Sequence, residues 1–230
     1  MIAKRYFFYT VFLTCFATVL TGQVYDNPAV GLKSVQTMEV LKVEASPDRT
    51  VLYLSVENRI KGGTFCADRN IYVICPDGTK LKLQKAMGIP QCPDTYRFRK
   101  EGEILEFSLV FPALAPGIHW IDVIEECSDN CFSVYGILLN NELSRKIDAA
   151  VAYVNRGQTD SAIGAYTKLI SEAGSDEAGI AGSLYSDLIS LLYGKGYTAS
   201  AADYYRRLAA SELPRKELYI GNLNFRGIKY

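Results

Sequence analysis

From residue 38 onward, apolar and polar residues alternate with the two-residue period of half-buried strands. Met38 to Val43 is the first such run. In Thr50 to Glu57, Leu52, Leu54 and Val56 share one face, and Tyr53, Ser55 and Glu57 share the other. Asn70 to Cys75 and Lys80 to Lys85 read as a hairpin turned by Pro76-Asp77-Gly78-Thr79, with Leu81 and Leu83 pointing inward. Proline presets the dihedral such a turn needs, and glycine supplies the positive φ. Glu103 to Phe111 alternates again, with Leu105, Phe107, Leu109 and Phe111 opposite Glu106 and Ser108. Pro112, Pro116 and Gly117 then turn the chain, because proline brings no ladder donor. Ile118 to Ile124 is apolar on both faces, as a covered central strand would be, and Phe132 to Leu138 completes a set of seven strands.

After Leu139 the composition shifts to Ala, Leu, Ser and Tyr, and helices are predicted. Self-comparison aligns Arg156-Gly-Gln-Thr-Asp-Ser-Ala162 with Lys195-Gly-Tyr-Thr-Ala-Ser-Ala201, an offset of 39 residues from Gly157 to Gly196. The same offset places Tyr153 over Leu192, Tyr166 over Tyr205 and Leu169 over Leu208. A small residue at Ala162 or Ala201 lets two helices approach closely, and the aromatic four residues later covers the contact. Glycine at 157 or 196 ends the preceding helix in the left-handed conformation.

These positions carry two resemblances. Tyr153, Gly157, Ala162 and Tyr166, with Leu192, Gly196, Ala201 and Tyr205, resemble the tetratricopeptide repeat, whose period is about 34 residues. The longer spacing here is absorbed near Ala173 to Glu177. The resemblance implies protein binding as a class, and its register puts Ser144, Ile147, Val151 and Val154 on the concave face of the first copy. In the second copy that face holds Ser183, Ser186, Ser190 and Tyr193. The first set is too apolar to stand in water, so it is expected to pack against the sandwich or another segment. The second is the expected partner-binding surface. Glu217 to Tyr230 is expected to cap the last repeat.

The second resemblance lies upstream, over roughly residues 35 to 140. Phe111, Pro112 and Leu114 form an F-P-x-L turn; Ile121, Asp122 and Glu125 an I-D-x-x-E strand; Tyr135, Gly136 and Ile137 the closing strand. This resembles the small β-sandwich domain of secreted proteins from Gram-negative gut bacteria, often found ahead of thioredoxin-like domains. No thioredoxin-like segment follows here, so that family's redox chemistry has no residues to occupy. Seven strands are also the count of an immunoglobulin-like sandwich. The expected class is therefore α+β and multidomain: a seven-stranded immunoglobulin-like antiparallel β-sandwich over 23–140, then two tetratricopeptide-like hairpins with a cap over 141–230.

The first residues, Met1-Ile-Ala-Lys-Arg-Tyr, are basic, and Phe7 to Leu20 is an apolar run of fourteen residues. That is a signal-peptide core rather than a span of about 20 residues, and cleavage is expected after Gly22, making 1–22 the signal peptide. The alternative is an uncleaved anchor. Cleavage implies export to the periplasm or cell surface, with no stable membrane span left. Of six cysteines, Cys15 would leave with the signal. In an oxidising compartment the other five can make two bridges in several ways; Cys66 with Cys92 and Cys127 with Cys131 are the expected pairs, leaving Cys75 odd. Cys127 and Cys131 lack redox C-x-x-C spacing, and one histidine with dispersed cysteines gives no zinc pattern, so no metal or cofactor is expected.

Lys and Arg number 25, as do Asp and Glu, so no overall field favours nucleic acid. Tyr96, Arg97, Phe98 and Arg99 could form a basic aromatic patch for a sugar, a peptide or an anion; the competing reading is an irregular loop whose stems lie on the sheet. His119 is read as half-buried structure and Trp120 as a sandwich core anchor. Neither a G-x-S-x-G elbow nor a Walker glycine loop occurs, so no catalytic residue is assigned and the expected function is not enzymatic. The leading expectation is a secreted interaction or scaffold protein that binds another envelope protein or peptide through its helical tail. The alternative is a surface module for glycan or peptide that uses the Tyr96 to Arg99 loop.

Overall fold

The computed structural model describes residues 22–230, and the expected signal segment lies outside them apart from Gly22. The described residues form an α+β structure with twelve strands in three antiparallel sheets, followed by five α-helices. The strands are β1 (Gln23–Asp26), β2 (Leu32–Lys33), β3 (Met38–Ala45), β4 (Arg49–Glu57), β5 (Thr64–Phe65) and β6 (Ile71–Ile74). They continue as β7 (Lys80–Lys82), β8 (Lys85–Met87), β9 (Tyr96–Arg97), β10 (Ile104–Pro112), β11 (Trp120–Glu125) and β12 (Ser133–Leu138).

One five-stranded sheet runs β1-β3-β4-β10-β8, the other β2-β12-β11-β6-β7, and β5 pairs with β9 alone. Alternation dictates what lies between the two larger sheets. Met38, Leu52, Leu54, Leu109 and Phe111 from the first sheet are fully buried with Ile71, Val73, Ile121, Val123 and Ile137 from the second, in one apolar core. The expected count of seven strands is too low. All seven predicted runs are strands, but five further strands of two to four residues join them. Lys80 to Lys85 is not one strand: β7 stays beside β6, while β8 crosses to pair with β10 in the opposite sheet.

The helices are α1 (Asn141–Asn155), α2 (Thr159–Glu172), α3 (Ala178–Gly194), α4 (Thr198–Ala210) and α5 (Lys216–Phe225). Asn140 caps α1 by accepting from the Leu143 N–H at 3.0 Å, satisfying a donor that a helix start leaves orphaned. Gly157 and Gly196 have positive φ at the α1–α2 and α3–α4 turns, which reverses the chain within three residues. Tyr166 and Tyr205, Leu169 and Leu208, and Ala201 are buried in a second core, and Ala162 is buried as well, so these positions 39 residues apart match in burial. Through Tyr219, Leu223 and Ile228, α5 and the chain beyond it cover that core. None of these helices is long and apolar enough to cross a membrane.

The two cores meet where glycine allows it. Gly179 of α3 lies directly on the Trp120 indole, and Gly136 of β12 lies against the Gly179 carbonyl; a Cβ at either position would overlap its neighbour. Trp120 therefore faces the helices, which corrects its assignment to the sandwich core. Val151 and Val154 correct the expected packing of the first concave set, because each is 39 % exposed. Ser144 and Ile147 do face the sandwich side, and the Ser144 hydroxyl accepts from the Ala29 N–H at 3.1 Å.

Candidate functional site

A cleft of about 660 Å³ lies between the halves of the molecule. One wall is the chain from Asn27 to Lys33 together with Glu39 to Leu41 of β3. The other is helical, with Asp148 from α1, Ser183, Ser186 and Asp187 from α3, and Asn222 and Arg226 from α5 or just beyond it. Local sequence explains both walls. The β3–β4 register shifts between Val40 and Lys42, and the Leu41 carbonyl accepts from the Asn27 N–H at 2.9 Å. On α3, Ser183, Ser186 and Asp187 are spaced three and four apart, so they share one face.

The helical wall carries the chemistry. Ser186 is only 6 % exposed, its hydroxyl makes no hydrogen bond among the described residues, and it borders the cleft. Ser183 donates to the Ile180 carbonyl at 2.9 Å and keeps its acceptor side free. Asp187 is open to water at the cleft yet crowded by protein on its other sides. The crowding strips solvent from the carboxylate and lifts its pKa to about 6, against the opposing pull of the Tyr166 hydroxyl, which donates to it, and of Arg226. Burial first, then the charge of Asp187, pushes the Tyr166 hydroxyl up. Asp148 and Arg226 form no ion pair among the described residues, whereas Lys33 and Glu39 on the opposite wall neutralise one another at 2.6 Å. Tyr219 is buried beneath the cleft with its hydroxyl against Gly31 and without a hydrogen-bond partner among the described residues.

No family model, curated protein or solved structure matches the chain.

Beside the cleft an ion pair fastens the two halves. Arg215, in the left-handed region at φ 57°, sends Nη1 and Nη2 to the two carboxylate oxygens of Asp122, each at 2.6 Å. Its guanidinium lies 5.2 Å from the centre of the Trp120 ring and 5.1 Å from that of Tyr135. Asp122 also accepts from the Gly136 N–H at 2.8 Å. Desolvation nevertheless outweighs these contacts and raises the Asp122 pKa. Glu125, the other carboxylate of the I-D-x-x-E run, accepts from the Asp68 N–H at 2.7 Å and the Phe132 N–H at 3.0 Å, and burial raises its pKa as well.

The second set of predicted concave residues divides. Ser183 and Ser186 line the cleft. Ser190 donates to the Ser186 carbonyl at 2.7 Å and stands outside it, as does Tyr193, which is 43 % exposed. In the Tyr96 to Arg99 loop, Arg97 and Arg99 are exposed, but Phe98 is 5 % exposed and belongs to the sandwich core. Tyr96 packs edge-on to Phe98 at 5.2 Å between centroids and donates to Glu103 at 2.6 Å. The expected aromatic patch is thus corrected to two exposed arginines on an inward-facing aromatic pair. Cys66 is bonded to Cys92 and Cys127 to Cys131, with Cys75 free and buried. His119 is 3.9 Å from Asp176 at a half-exposed position, away from the cleft.

Sequence reasoning passed over Asp148, Asp187, Asn222 and Arg226. Asp187 had a signal: it is the one charged residue in the seventeen of α3. Arg226 and Asn222 had none, since polar residues in a terminal helix usually face solvent.

Proposed function

We propose that this is a secreted, non-enzymatic interaction protein that holds a segment of another envelope protein in the cleft between its two halves. The cleft carries the reading. Its helical wall presents two serines, an asparagine, two carboxylates and a guanidinium, groups that hydrogen-bond peptide amides and pair with side-chain charges. Matched burial at positions 39 residues apart, with positive φ at Gly157 and Gly196, supports a tetratricopeptide-like tail, an architecture that binds proteins as a class. An immunoglobulin-like sandwich related to those of secreted Gram-negative gut bacterial proteins is supported by the buried Asp122 and Glu125 of the I-D-x-x-E run. Two disulfides fit an oxidising, extracytoplasmic compartment.

The test is a pull-down from native cell envelope with the chain from Gln23 to Tyr230, beside Ser183→Arg, which fills the cleft, and Tyr193→Ala, which lies outside it. A protein retained by the parent and by Tyr193→Ala, and lost from a folded Ser183→Arg, is the expected result. Equal retention by all three, or by none, overturns the reading.

A further inference from the structure

We infer that the cleft selects a peptide segment carrying a lysine or arginine side chain, whose cationic head sits on Asp187 while its backbone is held by Ser186. This rests on the reading that the cleft receives a partner segment, and it names the chemistry of that segment.

The charges facing the cleft are Lys33 and Glu39 on the sandwich wall, Asp148 on α1, Asp187 on α3 and Arg226 at the end of α5. Lys33 and Glu39 cancel at 2.6 Å, which leaves two carboxylates against one guanidinium. A cation is therefore the favoured guest, and a chloride or a carboxylate is opposed. Independently of that balance, Ser186 is 6 % exposed and lines the cleft, and its hydroxyl has no hydrogen-bond partner among the described residues. The Tyr219 hydroxyl beneath the cleft is buried and unsatisfied among the described residues, which is costly, so a group that supplies hydrogen bonds at this wall is selected. A peptide amide does so, and Ser183 and Asn222 extend the same polar face. Val30 and Leu41 on the other wall offer apolar contact to the methylene stem of a lysine or arginine. Tyr166 and Tyr219, whose hydroxyls burial pushes up, stay neutral near the site.

Asp187 makes the site pH-dependent. Its pKa of about 6 in the empty cleft means that a cation must displace a proton at low pH. A carboxylate fully ionised at pH 7.5 and about nine-tenths protonated at pH 5 binds a cation about tenfold more weakly at the lower pH. Asp148 and Glu39 face the same cleft.

The probe is N-acetyl-lysine amide, titrated into the full chain and followed by backbone amide shifts in α1, α3 and α5. N-acetyl-norleucine amide and N-acetyl-glutamate amide serve as matched controls. The lysine compound is expected to move the amides of Ser183 to Leu188 with millimolar affinity, about tenfold more weakly at pH 5 than at pH 7.5. Asp187→Asn, an isosteric change, removes both the binding and its pH dependence while the chain stays folded, as its amide spectrum reports. Equal response to norleucine, preference for glutamate with shifts at Arg226, or no cleft response to lysine up to tens of millimolar overturns the inference. A partner captured through the cleft by a protein that ignores lysine leaves the binding reading standing and this one not; a lysine response without any captured partner does the reverse.

Discussion

Arg215 and Asp122 illustrate how much a single contact depends on what its partner would do alone. Asp122 is almost wholly buried and Arg215 has 20 % of its side chain exposed, so the pair gains little over two apolar residues of the same shape. Removing one member is a different matter, because the other is left charged and unpaired. Arg215→Ala is expected to cost about 3 kcal/mol in urea unfolding. Arg215→Met combined with Asp122→Asn is expected to lose less than the sum of the two single changes, by about 1 kcal/mol or more. Strict additivity would mean that the two side chains do not act as a unit. Nothing in the sequence announced this pair: the residues are 93 positions apart, and an arginine after Leu213-Pro214 looks like any solvated loop residue.

At the scale of elements, the joint between β12, β11 and α3 is set by glycine. A helix normally keeps 8–10 Å from what it packs on, and losing the Cβ brings α3 directly onto the Trp120 ring. Gly179→Ala is expected to destabilise the chain by about 1 to 3 kcal/mol, since the new methyl meets an indole wedged between helix and sheet. Trp120→Leu in the same background is expected to recover part of the loss, and a Gly179→Ala protein as stable as the parent would show that the joint has slack. β3, β4 and β10 were legible because each alternates over eight or nine residues, enough to show a period. Strands such as Leu32–Lys33 and Tyr96–Arg97 were not, because two residues have no period and form only against a partner brought by the rest of the fold. The helical hairpins were legible for a third reason: the chain repeats itself, so Gly157 and Gly196 vouch for one another. The cleft was half legible. Register placed Ser183 and Ser186 on one face of α3, but the opposing wall comes from Asn27 to Lys33, tied to α1 across 115 residues at Ala29 and Ser144.

For the molecule as a whole, the two cores abut at the end of β12, with Leu138 buried among the helices while the next residue, Leu139, belongs to the sandwich. The sandwich, in turn, contains a thiol with no bridge among the described residues: Cys75 is buried at the end of β6, and desolvation raises its pKa, which disfavours the reactive thiolate. That protection exists only after β6 has joined its neighbours. In a freshly made chain under oxidising conditions Cys75 competes on equal terms with Cys66, Cys92, Cys127 and Cys131, and each wrong bond must be undone by exchange. Cys75→Ala is therefore expected to refold from the reduced state faster and in higher yield, with the same two bridges mapped by peptide analysis. An unchanged yield would mean that collapse hides the thiol before any bond forms. If the yield does rise, the interior position of this cysteine is a proofreading step, in which maturation waits on the assembly of a sheet before the covalent wiring becomes permanent.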